Sequence, residues 1–120
     1  MEENNKKRLL LIDDEEGVLR ALTLMLSAFG YEVFPFSDPI QALRNLSELS
    51  PDWIITDLRM PGIDGFGVIE KRNAEHPEIP VILISGHAQE EEIRKANELG
   101  IRAFLPKPFD PAALTRILHE

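Results

Sequence analysis

Short apolar runs, each followed by a stretch with apolar residues at helical spacing, constrain this chain more than any other feature of its sequence. Leu9-Leu10-Leu11-Ile12 is too short for a helix and ends in acids, which suits a strand buried on both faces. Positions 18, 22, 25, 26 and 29 are then apolar at helical spacing, and Gly30 supplies a stop. Tyr31 to Phe36 is aromatic and β-branched, hence a second strand. Asp38-Pro39 reads as an N-cap with proline in the first turn of a helix that continues through 42, 43, 46 and 49.

The alternation then repeats. Trp53-Ile54-Ile55-Thr56 predicts a third strand ending on Asp57, and a Pro61-Gly62, Asp64-Gly65 loop leads into a helix over 66–75. Val81-Ile82-Leu83-Ile84 predicts a fourth strand ending on Ser85-Gly86, before a polar helix over 89–99 stopped by Gly100. Ala103-Phe104-Leu105 predicts the fifth strand, and Asp110-Pro111 caps a last helix. Five strand–helix units with short connections imply one α/β domain, a doubly wound parallel sheet with helices on both faces. The natural order for five strands is 2-1-3-4-5, with its switch point between strands 1 and 3.

Composition removes several classes of function. The 120 residues contain no cysteine, which excludes disulfides, thiolate metal sites and thiol catalysis. The apolar runs are far shorter than the roughly 20 residues that span a bilayer, and Met1 to Arg8 has no signal-like apolar core, so a cytoplasmic domain without membrane contact is expected. Thirteen basic against 21 acidic side chains give a formal charge of −8, spread over both halves, which disfavours direct binding of nucleic acid.

Ligand chemistry in such sheets lies beyond the carboxyl ends of the strands, at the switch point. Asp13 and Asp14 follow strand 1, Asp57 ends strand 3, Ser85 ends strand 4 and Lys107 follows strand 5. Like charges at about 4 Å repel by several kcal/mol at an effective dielectric near 20, so the three acids would protonate or take up a cation. All-oxygen ligands suit Mg²⁺, with Mn²⁺ as a substitute. Acids, a divalent cation, a lysine and a hydroxyl together make a site for a phosphoryl group, and a carboxylate can be its nucleophile. Asp57, alone at the end of the central strand, is the best placed. The glycines at 17, 62, 65, 67 and 86 match neither nucleotide-binding fingerprint.

These residues resemble the receiver domain of two-component response regulators, the CheY-like family, over about Arg8 to His119. The resemblance rests on Asp13-Asp14, on Asp57-Leu58-Arg59-Met60-Pro61-Gly62 with Asp64-Gly65, on Ser85, and on Lys107-Pro108. It implies a tail over 1–7 and a receiver over 8–120 that accepts a phosphoryl group on Asp57 from a histidine-kinase phosphohistidine, using Mg²⁺. It further implies that Asp14 and Asp57 bind the metal through carboxylates, Asp13 through water and Arg59 through its backbone carbonyl. Lys107 and Ser85 would contact the phosphoryl group. Phe104 matches the family's switch aromatic, although it also fits a plain core residue. Lys107-Pro108 matches a cis peptide bond of the family. Arg59 and His87 occupy positions that tune the lifetime of the phosphorylated state, and His87 equally fits an exposed loop residue. His76 and His119 read as solvated.

The expected function is therefore a signalling phosphoacceptor rather than an enzyme. Its partners would be a sensor histidine kinase or phosphotransfer protein, and an output domain or downstream protein, with homodimerisation on phosphorylation. The output surface would be the 89–99 helix, the fifth strand and the last helix. A degenerate receiver acting without phosphorylation is the main alternative, and an Asp-nucleophile phosphohydrolase a weaker one, since Arg59 stands where such hydrolases place a second acid.

Overall fold

A computed structural model describes residues 6–120. Strand β1 (Arg8–Ile12), helix α1 (Glu16–Ala28), strand β2 (Glu32–Phe36) and the short helices α2 (Pro39–Arg44) and α3 (Leu46–Leu49) form the first part of the chain. Strand β3 (Trp53–Asp57), helix α4 (Gly65–Glu75), strand β4 (Val81–Ser85), helix α5 (Glu90–Glu98), strand β5 (Ala103–Pro106) and helix α6 (Pro111–Leu118) complete it. All four strand pairings are parallel and the order is β2-β1-β3-β4-β5, the doubly wound order that the alternation implies.

The strand residues are apolar without alternation because both faces are covered. Leu10, Ile12, Ile54, Val81 and Leu83 meet Ala42 and Leu46 of α2–α3, Val68 and Ile69 of α4, and Ala96 of α5. Their neighbours Leu9, Leu11, Ile55, Ile82 and Ile84 point the other way, onto Leu22 and Leu26 of α1 and Leu114 and Leu118 of α6. At the edge strand β2, Pro35 removes a donor where further strand pairing would otherwise be open.

Local signals behave as their chemistry requires. Asp38, Asp64 and Asp110 cap α2, α4 and α6, their carboxylates accepting from the backbone N–H of Ile40, Gly67 and Ala112. Gly30 and Gly100 follow α1 and α5 with φ of 97° and 95°, a backbone region that favours glycine.

Two local expectations are corrected. The single helix read over 39–49 is divided at Asn45, whose side-chain amide donates to the Gln41 carbonyl at 2.8 Å in competition with the regular backbone bond. His76 is half-buried rather than solvated, with Nε2 2.8 Å from Ser47 Oγ, joining the end of α4 to α3. Of the tail expected over 1–7, residues 1–5 lie outside the described residues. Lys7 Nζ donates to the Leu118 carbonyl at 2.7 Å.

Candidate phosphoryl site at the sheet edge

Parallel order brings the carboxyl ends of β1, β3, β4 and β5 to one edge, and with them the acids, Ser85 and Lys107. Asp13, Asp14 and Asp57 offer oxygens that all lie within 4.8 Å of one another. Asp13 is fully buried, Asp57 is 6% exposed and Asp14 is half-buried. The backbone fixes two of them: Asp13 accepts from Glu15 N–H at 3.0 Å, and Asp57 Oδ1 from Leu58 N–H at 2.7 Å. The Thr56 hydroxyl donates to the Asp57 carbonyl at 2.9 Å, fixing the backbone of the same residue.

Lys107 supplies the compensating charge. Its Nζ lies 3.0 Å from Asp13 Oδ2, 3.2 Å from Asp57 Oδ2 and 3.3 Å from Glu15 Oε1. Burial pushes the Asp13 carboxyl above its ordinary value, against the opposing pull of the Glu15 N–H and of Lys107. Burial alone would lower the Lys107 ammonium, but its hydrogen bonds and charge interactions with Asp13 and Asp57 outweigh it and the net shift is upward. One lysine among so many carboxylates leaves the site with excess negative charge. A donor set of carboxylate oxygens with that excess fits a hard divalent cation.

Asp14, Asp57, Arg59, Ser85, His87 and Lys107 line one open cavity of about 370 Å³. Ser85 is buried, and its hydroxyl accepts from His87 N–H at 3.3 Å. The Lys107–Pro108 bond is cis, and Lys107 N–H donates to the Ser85 carbonyl at 2.8 Å, which joins the loops after β4 and β5. His87 and Arg59 are exposed at the rim. Phe104 stands apart from this group, half-buried beside Leu83 on the α2–α5 face of the sheet.

Some members of the site were not visible in the sequence. Glu15 contacts Lys107 although it reads as an ordinary first-turn acid, and Gly65, a motif residue whose role the sequence does not show, lets α4 pack directly against the Asp57 backbone. Glu92 pairs with Arg59 at 2.6 Å. Glu92 also accepts from the Gln89 N–H at 2.9 Å, but glutamine at an N-cap is no capping-box signal and nothing in the sequence signals the pairing with Arg59.

Comparison with known proteins agrees with this geometry. The family model described as response regulator receiver domain matches residues 9–119. The transcriptional regulatory protein GlrR of Escherichia coli K12 is 34% identical over 112 residues, which is 93% of this chain and 25% of that protein. The chain thus spans a quarter of the length of that relative. A response regulator receiver domain protein from Clostridium thermocellum superposes with a TM-score of 0.89 at 29% identity, covering 94% of this chain and 91% of that one. The chemotaxis protein CheY4 of Vibrio cholerae superposes with a TM-score of 0.87 at 26% identity, covering 95% and 97%. With a matching family model over nearly its whole length, the same fold and the acidic sheet edge just described, the chain belongs to the response regulator receiver domain family, signalling domains of two-component systems.

Proposed function

We propose that this domain accepts a phosphoryl group on Asp57 from the phosphohistidine of a sensor histidine kinase or phosphotransfer protein. The observation that carries the reading is the placement of a nearly buried Asp57 carboxylate 3.2 Å from Lys107, in one cavity with Ser85 and within 4.8 Å of two further acids. An Asp57 carboxylate oxygen attacks phosphorus, the P–N bond breaks, and its electron pair returns to the imidazole nitrogen of the donor. Lys107 offsets charge on the phosphoryl oxygens and the Ser85 hydroxyl donates to one of them, so that the protein contributes mainly positioning and electrostatics.

Asp13, Asp14, Asp57 and the Arg59 carbonyl would hold Mg²⁺, which when bound supplies charge neutralisation at the phosphoryl oxygens. Arg59 and His87, at the rim of the cavity, are placed to tune hydrolysis of the acyl phosphate by controlling the approach of water. An apolar groove lined by Ala21, Leu22 and Met25 of α1 with Pro108 and Phe109 reaches the same rim through His87 and Lys107, and it is the natural seat for the donor protein.

Output follows from a population shift. New contacts from Ser85 and Lys107 to the phosphoryl group would bias the loop after β4 and the Phe104 ring, and with them the α5–β5–α6 surface that meets an output domain, a downstream protein or a second phosphorylated copy. The length of GlrR beyond the matched region supports an output domain in a longer protein. No helix among the described residues is long and apolar enough to cross a membrane.

Beryllofluoride, a phosphoryl mimic, tests this reading at equilibrium. With Mg²⁺ present it should raise the midpoint of thermal unfolding, adding about 2.7 kcal/mol of stability at 100 times its dissociation constant. Asp57→Ala should abolish the shift. An equal shift in that variant would place the ligand elsewhere and end the assignment of Asp57.

A further inference from the structure

Arg59 stands on the wall between two concavities. One is the Asp57 cavity, and the other is bounded by Met60, Asp64, Phe66 and Glu92. Its guanidinium bridges them: Nη2 lies 2.6 Å from Glu92 Oε1, in the second, and 3.3 Å from the His87 carbonyl, at the rim of the first. The same Glu92 oxygen accepts from Gln89 N–H at 2.9 Å, closing the first turn of α5. One arginine of the acceptor loop is therefore tied to both the loop after Ser85 and the start of α5. The Gln89 N–H, with Arg59 after it, holds the Glu92 carboxyl below its ordinary value.

Helix α5 has few other anchors. Ala96 is its only fully buried residue, with Ile93 and Leu99 half-buried, and the Lys95 ammonium sits 4.3 Å from the centre of the Phe66 ring. On such a helix a single ion pair carries weight. Phosphorylation changes what competes for Arg59. The resting cavity already has Lys107 between Asp13 and Asp57, whereas a phosphoryl group adds three strong acceptor oxygens beside an arginine suited to bind them.

Resting on the phosphoacceptor reading, we propose that Glu92 is a positioning residue that holds Arg59 off the acceptor cavity, and that Arg59 exchanges Glu92 for phosphoryl oxygens when Asp57 is modified. The exchange releases the first turn of α5 and couples the site to the output surface. By reciprocity, whatever weakens the Arg59–Glu92 pair must tighten binding at the acceptor site.

The test is a double-mutant cycle with beryllofluoride and Mg²⁺, read by titration calorimetry on wild type, Glu92→Gln, Arg59→Ala and the double variant. Glutamine keeps an acceptor for the Gln89 N–H, so the cap survives while the charge pair is lost. Glu92→Gln should bind about three- to fivefold more tightly than wild type, the upper reach of an exposed ion pair, and should have no effect when Arg59 is absent. Glu91→Gln should match wild type, since among the described residues Glu91 pairs with Arg94 alone, on the solvent side of the same turn. Equal affinity of wild type and Glu92→Gln, or the same gain with and without Arg59, would overturn the exchange while leaving the acceptor reading intact. A wild-type protein that binds no beryllofluoride would bring down both.

Discussion

Lys107→Ala should lose stability and phosphoryl acceptance together. Its side chain is 18% exposed, and its ammonium serves the buried Asp13 and Asp57 and the exposed Glu15 at 3.0–3.3 Å. Removing it leaves a fully buried carboxylate beside a second acid, with no other cation paired to either among the described residues. Breaking a buried pair by deleting one partner costs about 3–5 kcal/mol, and a loss of about 3 kcal/mol is expected here because a carboxylate can take up a proton instead. The deficit should be largest in EDTA at pH 7.5 and narrow on acidification. The sign follows from Asp13, whose folded value lies above its unfolded one, so its contribution to stability is present at low pH and is lost as pH rises through the folded value. Without Lys107 that rise is larger, and the variant regains stability relative to wild type as pH falls. Phosphorylation by acetyl phosphate should slow by about 10²-fold or more, the usual effect of removing one positioned electrostatic stabiliser. Urea unfolding at two pH values and a phosphorylation time course measure both effects. A variant as stable as wild type at pH 7.5 would show that the carboxylates do not depend on Lys107.

Gly65→Val should be the most damaging glycine substitution. A Cβ at Gly65 would lie 2.7 Å from the Asp57 carbonyl oxygen, 2.8 Å from Leu58 Cα and 2.9 Å from Leu83 Cδ1. Two of these neighbours are backbone of the acceptor strand and its loop, so α4 and Asp57 cannot both keep their places. Overpacking of a buried site costs about 1–3 kcal/mol, and the branched valine should reach or exceed the top of that range. Gly17→Ala is the matched control. It lies in the first turn of α1 with nothing within 4 Å of its added Cβ, so it should be neutral or stabilising by up to about 1 kcal/mol. Unfolding midpoints of the two variants in the same denaturant series decide the matter. A Gly65→Val protein with wild-type stability would mean that α4 does not press on the acceptor strand.

The contrast between these two glycines also shows where sequence reading stops. Strand ends were legible because a run such as Trp53-Ile54-Ile55-Thr56 must be buried on both faces, and the acid that closes it must emerge at an edge. Parallel order then places Asp13, Asp14, Asp57, Ser85 and Lys107 together without further information. Contacts across the fold carry no such periodic signal. Gly65 is marked by the Asp64-Gly65 motif and Gly17 is not, but the physical reason, the approach of α4 to β3, appears only in the fold.

The same limit applies to Arg59 and Glu92, 33 residues apart. Each is a polar residue with an adequate local explanation, and their pairing depends on how the loops after β3 and β4 lie side by side. Asn45 illustrates the opposite case. Its division of the helix read over 39–49 is local, a side-chain amide competing for the Gln41 carbonyl, but asparagine inside apolar helical spacing is ordinarily tolerated and the pattern alone favours continuity.

Phosphoryl acceptance by Asp57 is the step on which signalling by this domain would depend. It is tested most directly by the intact mass of the protein after incubation with acetyl phosphate and Mg²⁺, beside Asp57→Asn and a metal-free sample. One added phosphoryl group on wild type, absent in both controls, is the predicted result. A wild-type mass unchanged under conditions that phosphorylate another receiver, or an adduct that persists in Asp57→Asn, would contradict it.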